Sequence, residues 1–272
     1  MTAKKVSKKL KNSRRRGSKL FALLAALLAA IAIACGAWYV AALASADPPA
    51  DAGESADETT SVDVNDGFSR VNWEKWRSIN PDIVGWVNIP DTDINHPIAQ
   101  ASADDPEHYL HYDAYGNYSA AGVPFVDAAC SGLLTNPITP IYGHHFTGGR
   151  IFADLAEMTN ASFACKHRYA YLQTPEHKVK LEAISADKID ADNEGITLSY
   201  LNYETFKKSS EEQVESSTLK IGDVDDTKQL WKLVTCSYSV FANERTIVTY
   251  KAIEYDGQPL VDGETPWFAW AQ

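Results

Sequence analysis

The sequence predicts a mainly β domain, a barrel decorated by helices and preceded by one N-terminal transmembrane helix. Three observations carry this prediction. Eight short runs are rich in β-branched and aromatic residues, no regular strand-helix alternation links them, and a basic tail leads into one long uncharged apolar stretch.

The first nineteen residues hold nine cations (Lys4, Lys5, Lys8, Lys9, Lys11, Arg14, Arg15, Arg16 and Lys19) and no acid. Residues 20–46 are uncharged and rich in Leu, Ala and Ile. These 27 residues exceed the ~20 needed to cross a hydrocarbon core. Basic residues stay cytoplasmic, so residues 1–19 are expected inside and everything after Asp47 outside. Ala44-Ser45-Ala46 has the small residues of a signal-peptide cleavage site, but a secretory apolar region spans only about 7–15 residues, so a retained signal-anchor is the expectation.

Removing the nine tail cations from 25 Lys plus Arg leaves 16 against 36 Asp plus Glu, about −20 for the external part. Such a surface is repelled by phosphate, so nucleic acid is not expected as a partner. Residues 47–68 are Pro, Ala, Ser, Thr, Asp and Glu with almost no large apolar side chain, the composition of a flexible acidic spacer. Residues 69–272 then form one domain large enough for its own core.

In that domain residues 71–79 have helical apolar spacing and stop before Pro81. The expected strands are 83–89, 96–100, 123–126, 138–142, 169–173, 179–186, 230–236 and 245–253. Helices are expected at 150–158 and at the amphipathic 203–216. Trp73, Trp76, Trp86 and Trp231 are assigned to packing rather than to sugar binding.

Cys236 ends the run Lys232-Leu233-Val234-Thr235-Cys236, and Arg245 begins the run that continues Thr246-Ile247-Val248-Thr249-Tyr250. If 237–244 connect a hairpin, the two residues face each other across its mouth. Tyr142-Gly143-His144 adds an imidazole after another strand-like run. Thiolate, proton carrier and guanidinium together suit acyl transfer, which needs no metal or cofactor. Cys35 falls in the apolar stretch, and Cys130 and Cys165 either pair or stay free. Taken alone, Cys236 is equally a buried core cysteine.

The blocks Asn80-Pro81-Asp82-Ile83-Val84-Gly85-Trp86-Val87-Asn88-Ile89-Pro90, His96-Pro97-Ile98, Tyr142-Gly143-His144, Phe152-Ala153-Asp154-Leu155, Thr235-Cys236 and Arg245 follow the order seen in sortases, and the chain most resembles class B. The resemblance covers nearly all of the external domain. It implies an eight-stranded β-barrel with an N-terminal helix and a long helix between the sixth and seventh strands, an interval occupied here by 203–216. It also implies cleavage of a C-terminal sorting signal in secreted proteins after a Thr, a thioacyl-enzyme, and transfer to an amine of peptidoglycan or of a pilin lysine.

Carried over by motif, Cys236 is the nucleophile, His144 the proton donor and acceptor, and Arg245 the group that stabilises the oxyanion or orients substrate. His145 follows directly where the family more often has Asn or another polar residue, so His144 is the assigned imidazole. Leu110, Tyr200, Leu201, Val234 and Thr235 are the candidate groove residues for the sorting peptide. Lys232 stands where the family usually has Thr, and is either a residue that tunes substrate choice or an exposed strand lysine. A hydrolytic cysteine peptidase and a non-catalytic binding domain are the rival readings. An L,D-transpeptidase is disfavoured, because 92 residues separate His144 from Cys236.

Overall fold

The computed structural model describes residues 66–146, 150–193, 195–236, 243–261, 263–266 and 268–270. The basic tail, the apolar stretch 20–46, nearly all of the acidic spacer and residues 237–242 of the expected hairpin connection lie outside them. Among the described residues no helix is long and apolar enough to cross a membrane.

Twelve strands are described: β1 (Ile83–Asn88), β2 (Asn95–Gln100), β3 (Phe125–Val126), β4 (Ile138–Tyr142), β5 (His145–Phe146), β6 (Arg150–Ile151), β7 (Tyr169–Gln173), β8 (Lys178–Asp190), β9 (Leu219–Lys220), β10 (Leu230–Cys236), β11 (Glu244–Tyr255) and β12 (Gln258–Pro259). Eight of them close a barrel in the order β1-β2-β3-β4-β10-β11-β8-β7 and back to β1. The β2–β3 and β4–β10 pairs are parallel and the other pairs of the ring antiparallel. The two longest strands, β8 and β11, make the closing seam, and two register shifts along it supply bends that a closed sheet needs.

Strand alternation decides the layers. On β10, Trp231 and Leu233 enter the barrel core with Ile98, Ile141, Leu172, Leu181 and Val248. Leu230, by contrast, packs outside with Ile138 and Ile184 against Phe206 and Val214 of a covering helix. Outer Lys232 and Val234 share its phase along the strand.

Among the described residues four α-helices decorate the barrel: α1 (Trp73–Ile79), α2 (His108–His111), α3 (Ala161–Lys166) and α4 (Tyr203–Glu215). The Asn72 side chain caps α1 by accepting from the Lys75 N–H, and Asn202 with Thr205 forms a reciprocal capping box on α4. Trp76 of α1 packs on Trp86 of β1 at a ring distance of 5.6 Å. Trp76, Trp86 and Trp231 are buried, and Trp73 packs partly against the same outer cluster. Phe68 is buried as well, edge-on to Tyr171, so ordered packing reaches into the last residue of the expected spacer.

Two expectations need correction, and one open alternative is decided. The single helix at 150–158 is instead β6, paired with β5, followed by a 3-10 helix at Ala153–Thr159 and then α3. Ile151 takes φ 62°, which breaks a helical run there, while the Asn160 side chain caps a new one. The apolar spacing was real but serves the 3-10 turn, whose Leu155 and Met158 join the barrel core. Lys232 is no exposed strand lysine: it is 2% exposed, and its Nζ donates to Gln213 Oε1 of α4 at 2.6 Å. Burial pushes it down to about 8, a fall opposed by the Asp187 carboxylate. Cys130 and Cys165 are both free, the first buried and the second exposed.

Candidate active site

α4 seals one end of the outer face of β4 and β10, and the other end is a groove of about 240 Å³. Phe125, Tyr142 and Val234 form its floor on three adjacent strands. Pro106, Glu107 and Leu110 wall one side from the excursion between β2 and β3, with Asp127 and Ala128 just beyond β3. Gly143, His144, Thr235 and Arg245 close the end at the barrel rim.

The backbone places the remaining candidate at the same rim. Cys236 ends β10 directly opposite Arg245 at the start of β11, and it is in phase with Val234 along its strand. The Gly143 N–H donates to the Val234 carbonyl at 3.0 Å, tying the turn that carries His144 to the strand that carries Cys236. Gly143 is a packing requirement: a Cβ there would lie 2.6 Å from the Phe152 ring. The Phe152 N–H donates back to the His144 carbonyl, so the Phe152-Ala153-Asp154-Leu155 block braces the histidine turn.

His144 is half-buried and its Nε2 lies 3.0 Å from the Leu110 carbonyl oxygen. A carbonyl only accepts, so Nε2 carries the proton of that bond. Burial holds the imidazole below the ordinary histidine range; the Leu110 bond opposes this, and the charges of His111 and Arg245 add to it. A neutral ring therefore prevails at neutral pH. His145 does not line the groove; it lies in β5, paired opposite Ile151 of β6.

The predicted groove residues divide. Leu110, Val234 and Thr235 line the groove with His144 and Arg245. Tyr200 instead stacks edge-on to Phe206 beside α4, and Leu201 is 91% exposed; neither lines this groove. Sequence reasoning also missed several contributors. Tyr109 pins α2 by donating to Asp82 Oδ2 at 2.7 Å while accepting from Asn80 Nδ2 at 3.3 Å, and this fixes the neighbouring Leu110. A backbone carbonyl that orients a side chain leaves no mark in residue identity, and Glu107 and Asp127 sit in loops whose placement only the fold sets.

No model of a known protein family matches the chain. Two curated relatives do. The sortase B of Staphylococcus aureus is 28% identical over 189 residues, covering 68% of this chain and 76% of the relative. The sortase B of Listeria monocytogenes is 33% identical over 110 residues, covering 40% of this chain and 44% of the relative. Among solved structures, Clostridium perfringens sortase B superposes with a TM-score of 0.61 at 27% identity, over 66% of this chain and 99% of that one. A substrate complex of Staphylococcus aureus sortase B gives 0.57 at 26% identity, over 66% and 84%. In sequence and in fold, the chain matches class B sortases, a family of cysteine transpeptidases.

Proposed function

We propose that this chain is a membrane-anchored transpeptidase that cuts a C-terminal sorting signal of secreted proteins and joins the new carboxyl end to an amine of peptidoglycan or of a pilin lysine. One observation carries the reading: Cys236 and Arg245 are registered opposite each other at the rim of the groove that His144 and Arg245 line. The uncharged residues 20–46 behind a basic tail support an anchor with the catalytic domain outside.

In this mechanism the Cys236 thiol gives its proton to His144, and sulfur bonds to the carbonyl carbon of the Thr that ends the sorted segment. The oxyanion that forms is met by the Arg245 guanidinium, a fixed fork of donors. The carbon–nitrogen bond breaks as His144 returns the proton to the leaving amine, which gives a thioester. An incoming amine then attacks the same carbon and loses a proton to His144. The carbon–sulfur bond breaks, an amide forms, and the thiolate is released to regain that proton. Leu110, Val234, Phe125 and Tyr142 offer the sorting peptide an apolar bed.

The test uses the full chain in detergent, with peptides copying C-terminal signals of secreted proteins from the same genome and triglycine as the amine. Cys236→Ala is expected to abolish cleavage and transfer while the protein stays folded. His144→Ala is expected to be comparably inactive, and His145→Ala to keep substantial activity. Transfer product from folded Cys236→Ala would overturn the mechanism, and the reverse ranking of the two histidine variants would move the proton carrier to His145. Product that stays hydrolytic at every triglycine concentration would identify a peptidase instead.

A further inference from the structure

We propose that Gly122 and the Leu110 carbonyl form a positioning device for His144, which commits Nε2 as a donor and leaves Nδ1 as the nitrogen that carries the proton during transpeptidation. The inference rests on the reading of His144 as proton carrier and adds the atom and the residues that select it.

The device is built from the chain crossing itself between β2 and β3. The segment after α2 returns along the helix: the Ser119 N–H donates to the His111 carbonyl at 2.8 Å, and the Val123 N–H donates to the Tyr109 carbonyl at 3.0 Å. The carbonyls on either side of Leu110 are thus engaged by the returning segment. The Leu110 carbonyl between them accepts from His144 Nε2.

Gly122 sits where the returning segment backs onto this pair of peptides. A Cβ at Gly122 would lie 2.3 Å from the Tyr109 oxygen and 2.9 Å from the Leu110 oxygen, and the residue's φ is +62°. Both facts call for glycine, and the closest contact falls on the Tyr109 carbonyl, with the acceptor that holds the imidazole next to it. On the opposite side, the Tyr109 hydroxyl anchors the same helix to Asp82 and Asn80. The helix that carries the acceptor is thus held both by backbone bonds of the returning segment and by a buried tyrosine.

The consequence for chemistry follows from the imidazole itself. A neutral ring has one donor and one acceptor nitrogen, and the bond made by one fixes the role of the other. With Nε2–H committed to Leu110, Nδ1 is the basic nitrogen and the one available to take the thiol proton. If the Leu110 carbonyl moves, the ring loses both its tautomer preference and its aim. Gly122 makes no contact with the reacting atoms in this scheme and acts through Leu110 and His144.

The experiment is long-range proton–nitrogen spectroscopy of the full chain in detergent, labelled with nitrogen-15 at histidine, with His144 identified by the signals lost in His144→Ala. The wild type is expected to show a protonated Nε2 and a bare Nδ1 for His144 at neutral pH. Gly122→Ala is expected to mix the tautomers and lower kcat about tenfold or more, part of the 10²–10⁴ that positioned proton transfer contributes, with KM within about twofold. Gly122→Asn tolerates positive φ better and still adds a Cβ, so the same loss in it assigns the effect to the contact with the Tyr109 and Leu110 carbonyls rather than to backbone strain. An Nδ1–H tautomer in the wild type overturns the proposal whether or not either variant folds, and so does a folded Gly122→Ala enzyme with wild-type kcat. Full activity in His144→Ala would instead remove the reading on which the proposal rests.

Discussion

Lys232 and Val234 stand two residues apart on one face of one strand, yet they live in different environments. Lys232 lies beneath α4 and is bonded to Gln213, whereas Val234, just as buried by its neighbours, lines the floor of the groove. Their strand neighbours repeat the contrast: Leu230 packs under Phe206, while Cys236 ends the strand opposite Arg245 at the groove rim. The difference teaches that the alternation of a strand assigns a face, and that what lies over that face comes from a segment far along the chain. One part of the outer face is thereby covered by α4 and the other left as a groove.

Breaking the sealed half is expected to have the largest effect. Phe206 is fully buried against Ile138, Ile184 and Leu230, so Phe206→Ala should lower unfolding stability by about 3–5 kcal/mol in urea titration. The folded fraction should keep wild-type kcat, because the groove lies at the other end. A folded variant with a kcat loss as large as its stability loss would show that the two halves are not separable.

Breaking the open half by Arg245→Lys should do the opposite. An ammonium cannot reproduce the guanidinium fork, and losing one oxyanion donor costs about 10²–10³ in kcat. Stability should move little. A rise in KM with kcat spared would reassign Arg245 to ground-state substrate binding, and near-normal values of both would leave it a strand residue.

Lys232 sharpens the comparison through pH. Its folded value of about 8 lies below that of an unfolded lysine, so between about pH 8 and 10 the unfolded chain holds a proton that the fold has released. Stability from this group therefore rises with pH across that window, by up to roughly 3 kcal/mol. Burial also keeps the Cys130 thiol protonated up to about 12, which bends the absolute curve the other way. The measurement is accordingly the difference in unfolding free energy between wild type and Lys232→Met, which should shift in favour of wild type as pH rises. A flat difference would mean that Lys232 is hydrated rather than sealed.

Much of this organisation was legible in the chain. The apolar runs that became β1, β2, β4, β7, β10 and β11 were read within a residue or two, because a two-residue repeat of branched and aromatic side chains is a local property. The opposition of Cys236 and Arg245 was legible for the same reason, since both flank one hairpin. The excursion between β2 and β3 was not. Its α2 is four residues long and is held by Tyr109, Asp82 and Asn80, so nothing periodic announces it. The helix expected at 150–158 failed because its apolar spacing fits a 3-10 turn as well, and the turn at Ile151 belongs to the β5–β6 pairing.

By itself the sequence determined most strands of the barrel ring, the alternation of faces along them, the C-terminal ends of α1 and α4, and the presence of a thiol, an imidazole and a guanidinium at strand ends. These follow from side-chain volume, branching and backbone capping, which act within a few residues. Only the tertiary structure decided that β8 and β11 close the barrel, that α4 covers Lys232 and stops short of Val234, and that the Leu110 carbonyl meets His144 Nε2. Each of those joins residues tens of positions apart, and such a contact depends on the whole packing rather than on any stretch of chain.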